Sequence, residues 1–143
     1  MRPLLFVTAL VLFVTALAAA AAFAADRPDL NGKWQLASSP GKLKFETLLI
    51  EQTPDSVKIT ESAANKKPFD VSCNIDAKEC KVKERKVSFW YNGPALVMME
   101  SSQDGDEVTK TRMIPGADGK TLSLEVMRIL PAGASATYKF TKQ

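Results

Sequence analysis

The sequence predicts an all-β fold, a single antiparallel up-and-down meander of about 8–10 strands that closes, or nearly closes, into a barrel. Three observations indicate this class. Short runs of alternating apolar and polar residues recur at intervals of roughly 8–12 residues. Turn residues separate the runs, as at Ser39-Pro40-Gly41 and Asn92-Gly93. No stretch shows sustained helical periodicity. A sandwich is the alternative, but a meander that does not close leaves two exposed edge strands, which favours the barrel.

The predicted strands follow one another between recognisable turns. Val57 and Ile59 fall on one side of the third strand, and Tyr138 and Phe140 point inward from the last. For the hairpin before the last strand, the apolar pattern places Met113 opposite Leu122. The strands are expected at residues 32–36, 45–52, 56–61, 69–73, 80–86, the two arms of a central hairpin within 86–102, 107–114, 121–130 and 135–141. Residues 80–86 are expected to run into the central hairpin through a bend.

The first 24 residues are typical of a secretory signal peptide. Arg2 gives a positive start, an apolar stretch follows from Leu4, and Ala22-Phe23-Ala24 fits the small-x-small pattern of a signal-peptidase site. An uncleaved anchor is the alternative, since about 20 apolar residues can span a bilayer. We expect cleavage after Ala24, which leaves residues 25–143 as one secreted or periplasmic domain without membrane contact.

The composition argues against several classes of function. The chain carries 19 basic and 16 acidic residues, a balance too even to predict a nucleic-acid partner. It has no histidine, which removes the commonest zinc ligand and the usual general base at neutral pH. No nucleophile elbow, Ser-x-x-Lys pair or phosphate-binding loop occurs. We therefore expect no enzyme activity, no catalytic residues, no metal site and no cofactor.

Residues 86–102 contain the central hairpin of the predicted sheet, in which two β-type runs meet at Asn92-Gly93. Counting outward from this turn pairs Phe89 with Leu96, which gives a continuous apolar face. Pro94 has no N–H, so a slightly wider loop is expected. The same count places Arg85 opposite Glu100 on the inner face. Such a pair would grip the polar head of a ligand, or would be a solvated pair at the rim.

Cys73 and Cys80 lie outside the signal segment, and in an exported protein they are expected to pair. Six residues separate them, which suits a bridge across a hairpin. A redox pair is the alternative, but redox pairs usually have two intervening residues.

Gly32-Lys33-Trp34 opens the first predicted strand, a short arm after the signal segment. Here the chain resembles the calycin group, which includes lipocalins, fatty-acid-binding proteins and avidins. In that group a Gly-x-Trp starts the first strand and its indole plugs one end of the barrel. The resemblance extends to short secreted bacterial proteins of lipocalin-like type. The chain lacks room for the helix pair of fatty-acid-binding proteins and for the helix that follows a lipocalin barrel. A core tryptophan without ligand contact is the alternative for Trp34.

The large share of inward apolar positions favours a non-catalytic barrel that binds a small apolar or amphipathic ligand. Trp34 would close one end, and Arg85 with Glu100 would form a polar rim. The expected wall consists of apolar residues from two hairpins, namely Phe89, Tyr91, Leu96, Met98, Leu122 and Leu124. Two alternatives remain. The chain also resembles periplasmic inhibitors of metalloproteases, in which case the arm at residues 25–30 would enter the protease. A purely structural secreted domain is the other.

Overall fold

The computed structural model describes residues 27–143, and the segment predicted to be a signal peptide lies outside this range. The described residues form ten β-strands and contain no α-helix. No helix in this range is therefore long and apolar enough to cross a membrane. The strands are β1 (Gly32–Ser38), β2 (Thr47–Gln52), β3 (Ser56–Ser62), β4 (Phe69–Asn74), β5 (Cys80–Val82), β6 (Arg85–Asn92), β7 (Ala95–Ser102), β8 (Val108–Pro115), β9 (Thr121–Leu130) and β10 (Ser135–Lys142).

All ten strands belong to one antiparallel sheet, in the order β4-β3-β2-β1-β10-β9-β8-β7-β6-β5. The first and last strands are neighbours, since Trp34 on β1 lies opposite Leu48 on β2 and opposite Lys142 on β10. The sheet curls until its two edges, β4 and β5, approach one another. The result is a nearly closed up-and-down barrel, which confirms the predicted fold class and excludes the sandwich.

The seam of the barrel lies between β4 and β5, which follow one another in sequence but share no ladder. Cys73 on β4 and Cys80 on β5 are joined as a disulfide, with their Cα atoms 6.1 Å apart. The bridge was expected across a paired hairpin, and it instead joins the two edges of the sheet. Higher along the seam, the Lys83 ammonium lies 4.6 Å from the centroid of the Phe69 ring. Side chains therefore hold the barrel closed where backbone hydrogen bonds do not.

The central hairpin turns at Gly93-Pro94, so that Asn92 lies opposite Ala95 and Phe89 opposite Met98. The register predicted from an Asn92-Gly93 turn is wrong by two residues. The reason is local: Gly93 has a φ of 56°, which glycine adopts without steric cost, and Pro94 has no N–H to give to a ladder. Both residues therefore suit the turn better than the strands.

Two other expectations about the strands are also corrected. Met113 lies opposite Leu124, again two residues from the predicted partner. The run at residues 80–86 is not one bent strand, because Lys83 and Glu84 form a turn that folds β5 back onto β6, with Val82 opposite Arg85. A shift of two residues leaves every side chain on its predicted face, because side chains alternate with a period of two.

The interior of the barrel contains a tightly packed core. Its largest side chains are no more than 2% exposed, among them Trp34, Phe89, Phe140, Leu30, Ile50, Leu96 and Leu122. These residues come from both halves of the sheet and from the arm that precedes β1. They fill one part of the barrel interior and leave the rest to the cavity described below.

Candidate functional site

Trp34 closes one end of the barrel together with the arm before β1. Its indole is fully buried, and its Nε1 donates a hydrogen bond to the carbonyl of Leu30 at 2.9 Å. Gly32 has a φ of 136°, and a Cβ at this position would lie 2.6 Å from Cε of Lys142. The absence of a side chain at Gly32 thus lets Lys142 cross β1, where its Nζ lies 5.3 Å from the Trp34 ring. Gly32 and Trp34 of the Gly-x-Trp sequence therefore both take part in closing this end of the barrel.

Gln52 at the end of β2 holds the arm against the same end of the barrel. Its Oε1 accepts a hydrogen bond from the Leu30 amide at 3.0 Å. Its Nε2 donates to the carbonyl of Pro28 at 3.0 Å and to the hydroxyl of Tyr91 at 2.7 Å. Leu30 and Pro28 are both buried. The described part of the arm is thus fixed to the barrel by side chains and backbone together, and Leu30 is part of the core.

A cavity of ≈ 670 Å³ occupies the part of the interior away from this closed end. Its volume lies within the usual range of small-molecule sites, about 300–1,000 Å³. Most of its wall is apolar and comes from strands on both sides of the seam and from the segment between β1 and β2. The apolar wall includes Leu43, Phe45, Leu48, Ile59, Phe69, Met98, Met113, Leu124, Val126 and Tyr138.

Three charged side chains line the cavity among these apolar groups: Arg85, Glu100 and Glu61. Arg85 on β6 and Glu100 on β7 form an ion pair. They are not directly opposite one another, because Arg85 lies opposite Ser102 and Val87 lies opposite Glu100. The pair is diagonal, and the arginine reaches across to the carboxylate. Glu100 is the more enclosed partner, with 19% of its side chain exposed.

Glu61 on β3 is the most perturbed acid of the described residues. Its pKa is raised from 4.5 to about 7, mainly because the group is buried and to a smaller extent by the nearby carboxylate of Glu100, while Lys44 and Arg85 act in the opposite direction. Its carboxyl group therefore changes charge near neutral pH. Glu61 makes no hydrogen bond or ion pair with another side chain of residues 27–143.

The rim of the cavity carries mostly positive charge. Its basic side chains are exposed, whereas Arg85, Glu100 and Glu61 are partly buried. The exposed rim groups are Lys42, Lys44, Lys66, Lys67 and Arg128, with Glu107 as the single acid among the described rim residues. Salt screens exposed charges of this kind over about 8 Å at physiological ionic strength, so the inner charges dominate contacts with a ligand.

The structure separates the predicted site residues into two groups. Met98, Leu124, Arg85 and Glu100 line the cavity. The others lie outside the described cavity wall: Trp34, Phe89, Leu96 and Leu122 are buried in the packed core, and Tyr91 binds Gln52 near the closed end. Contact between a ligand and any of these residues stays a prediction.

Glu61, Gln52 and Thr111 were not singled out from the sequence. A signal for each was present in the alternation of its strand. Glu61 has the same parity as the inward Val57 and Ile59, and Gln52 has the same parity as Leu48 and Ile50. A polar residue in phase with buried apolar neighbours is therefore a marker of an interior polar position.

Within residues 27–143 no group of three or more His, Cys, Asp or Glu side chains is arranged to hold a metal ion. Thr111 adds one buried hydroxyl to the cavity wall.

The fold and the cavity together define a small up-and-down β-barrel with an internal cavity. One sheet curls into a nearly closed cylinder, one end is sealed around Trp34, and an internal cavity lies away from that end.

Comparison with solved structures supports this class. The chain is similar to the wild-type fluorescent protein UnaG, with a TM-score of 0.61 and 18% identity over 80% of this chain and 97% of that one. It is also similar to secretory abundant heat soluble protein 4 from Ramazzottius varieornatus, with a TM-score of 0.62 and 13% identity over 79% of this chain and 94% of that one. At such identities the similarity concerns the fold alone. No protein-family model matches the sequence. Comparison with curated proteins also gives no match.

Proposed function

We propose that this protein is an exported, non-catalytic barrel that binds a small apolar or amphipathic molecule in its cavity. The observation that carries the proposal is the cavity of ≈ 670 Å³, whose inner wall is mainly apolar with three charged side chains and whose rim carries six more. Ligand sites have this character, because apolar walls supply affinity while a few polar groups fix the orientation of the ligand. A barrel with a purely structural role would be expected to fill its interior with side chains.

Export is proposed on two features. Residues 1–24 have the pattern of a signal peptide. Cys73 and Cys80 lie at disulfide distance across the seam, and such bonds persist in oxidising compartments. Expression of the full chain in a bacterium, followed by mass spectrometry of the periplasmic fraction, is expected to give a mature protein that starts at Ala25. An uncleaved protein in the membrane fraction would contradict export.

The inhibitor alternative gains no support from the arm. Leu30 is buried, Pro28 is hydrogen-bonded through its carbonyl to Gln52, and Arg27 donates to the carbonyl of Pro54 at 3.0 Å. A segment that enters a protease must be free to leave its own domain. The ligand-binding proposal is therefore the one that the contacts of the arm favour.

The test of binding uses one variant that fills the cavity and one that does not. Val126 lines the cavity from β9, and Thr137 is exposed on the next strand, β10. The wild-type protein, Val126→Trp and Thr137→Trp are studied by native mass spectrometry and by thermal shift with a library of apolar and amphipathic compounds. A bound ligand stabilises the folded state and raises the melting temperature.

We expect adducts or thermal shifts for the wild-type protein and for Thr137→Trp, and their loss in Val126→Trp. The proposal fails if no compound binds the wild-type protein. It also fails if Val126→Trp binds as well as the wild-type protein, since the ligand would then lie outside the cavity.

A further inference from the structure

The inner wall of the cavity has one carboxyl group more than it has basic partners. Arg85 is engaged with Glu100 in an ion pair, and Glu61 lines the same cavity from the opposite side of the seam. Glu61 forms no ion pair with a basic side chain of residues 27–143. When Glu61 is ionised, the partly buried charges thus sum to one net negative charge.

This imbalance discriminates between three kinds of ligand head group. A carboxylate head would be a third acid competing for the single guanidinium of Arg85. A hydroxyl head would gain ordinary hydrogen bonds only. A protonated amine would make charge-assisted hydrogen bonds to Glu61 and to the free oxygen of Glu100, and such bonds are roughly twice as strong as neutral ones.

We propose that the cavity prefers ligands with a protonated amine head, which lies between Glu61 and Glu100 while the apolar body contacts Met98, Met113 and Leu124. The inference rests on the proposed function, because it names the chemistry of the ligand in the same cavity. The thioethers of Met98 and Met113 suit an alkyl chain or a ring, since methionine side chains adapt their shape to what they contact.

The rim does not reverse this preference. Lys44 is the basic rim group whose charge acts on Glu61, but it is exposed and makes no ion pair within residues 27–143. The other charged groups of the described rim are Lys42, Lys66, Lys67, Arg128 and Glu107, all exposed. Their net positive charge opposes an approaching amine at low ionic strength, and salt screens it. The preference is therefore best measured at about physiological ionic strength.

The affinity for an amine should depend on pH, because it depends on whether Glu61 is protonated. The pKa of Glu61 is about 7 in the ligand-free protein, and a cation within about 4–6 Å lowers a carboxyl pKa by about 1–3 units. Between the pKa of Glu61 in the ligand-free protein and its lower pKa beside the amine, binding of an amine must therefore release a proton from Glu61. Affinity for the amine then rises with pH, by about sevenfold to thirtyfold between about pH 5.5 and about pH 8 for a pKa shift of about 1–3 units. An alkyl amine stays protonated throughout, with a pKa near that of lysine, about 10.4.

The experiment compares three compounds with the same ten-carbon chain: n-decylamine, n-decanol and decanoate. Their affinities for the full mature protein are measured by isothermal titration calorimetry at about pH 8 and about pH 5.5, in about 150 mM salt. At the higher pH we expect decylamine to bind at least about tenfold more tightly than decanol, with decanoate weakest. At the lower pH we expect the advantage of the amine over the alcohol to shrink.

Two matched variants each remove one negative charge. Glu61→Gln removes the unpaired inner carboxylate and leaves Glu100, so decylamine is expected to lose most of its advantage over decanol while the affinity of decanol is unchanged. Glu51→Gln removes an exposed carboxylate on the outer face of β2, outside the cavity wall, and is expected to keep the wild-type advantage of the amine. If Glu61→Gln does not fold, the wild-type protein still tests the proposal, because the advantage of decylamine over decanol must be smaller at about pH 5.5 than at about pH 8.

Equal affinities for amine and alcohol, or tightest binding of decanoate, would overturn the amine preference and leave ligand binding in the cavity intact. A Glu61→Gln variant that keeps the full advantage of the amine would also overturn it. If none of the three compounds binds, the preference is lost, and the library experiment with Val126→Trp then decides separately whether the cavity binds any ligand.

Discussion

Cys73 and Cys80 connect the two strands that have no partner on their outer sides, β4 and β5. Every other pair of adjacent strands in the described sheet is held by a backbone ladder. The disulfide thus takes the place of a tenth ladder, and it does so beside the packed core, because Cys73 is buried. Around this bond the sulfur atoms also approach the carbonyls of Val87 and Ser72.

Replacing both cysteines with serine is expected to lower the free energy of unfolding by about 2.5 kcal/mol, the loop-entropy value for a short closed loop. Urea denaturation of the wild-type and Cys73→Ser/Cys80→Ser proteins without reductant measures the difference. Wild-type protein in reductant should behave like the double variant, and the double variant should not respond to reductant. A loss below about 0.5 kcal/mol would show that the other contacts across the seam suffice.

Glu61 should make the stability of the protein depend on pH near neutrality. Its pKa of about 7 in the folded protein lies above the unfolded value of 4.5, so the folded state holds more protons between these values. The free energy of unfolding must therefore fall as pH rises through this interval. The expected fall due to this group is about 1–3 kcal/mol, from about 1.4 kcal/mol per pKa unit with allowance for partial exposure.

Denaturant titrations at about pH 5, pH 6.5 and pH 8 measure this fall. Glu61→Gln should abolish it and should be more stable than the wild-type protein at the highest pH, because no charge is then buried in the cavity wall. Glu61→Asp retains an ionisable carboxyl group and should retain a decline. If the Gln variant shows the same decline as the wild-type protein, another group is responsible.

The hydrogen bond from Gln52 to Tyr91 should contribute measurable coupling between the two side chains. Gln52→Ala removes three hydrogen bonds at the closed end and leaves the Leu30 amide without its partner, for which a loss of about 2–3 kcal/mol is expected. Tyr91→Phe removes one bond and should cost about 1 kcal/mol.

A double-mutant cycle tests whether the two losses of stability come in part from the same hydrogen bond between Gln52 and Tyr91. The combined variant should be less destabilised than the sum of the two single variants, by about 1 kcal/mol. Thr53→Ala with Tyr91→Phe is the control, because Thr53 bonds to the neighbouring Ser56 and not to Tyr91, so those losses should add. Additive losses for Gln52 and Tyr91 would contradict a direct interaction.

The alternation of apolar residues predicted the faces of the strands but not their registers. Phe89 and Met113 lie inside the barrel as predicted, yet each is opposite a residue two positions from the one expected. A slip of two residues preserves the face of every side chain, so the apolar pattern carries no information against it. Only the conformations of the turn residues distinguish such registers, and in the β6–β7 hairpin Gly93 and Pro94 determine the register.

The position of the cavity could not be predicted from the same pattern. Phe89 and Met98 are directly opposite one another and both face inward, but Phe89 is buried in the core and Met98 lines the cavity. The difference depends on what fills the closed end, where Leu30 and Trp34 enter from outside the hairpin. Arg85 and Glu100 still meet despite the wrong register, because both side chains are long and a diagonal pair remains within their reach.

Because β4 and β5 share no hydrogen-bonded ladder, the connectivity of the strands can be changed at the seam. The nine hydrogen-bonded pairings of the described strands form an unbroken series that runs from β4 through β1 and β10 to β5. The connection between Asn74 and Cys80 joins the two ends of that series without belonging to it. A circularly permuted polypeptide, cut in this connection and spliced between residues 143 and 27, would keep all nine pairings. The edge strands β5 and β4 would then be the first and last strands of the chain, and the disulfide would be the only direct covalent bond between them.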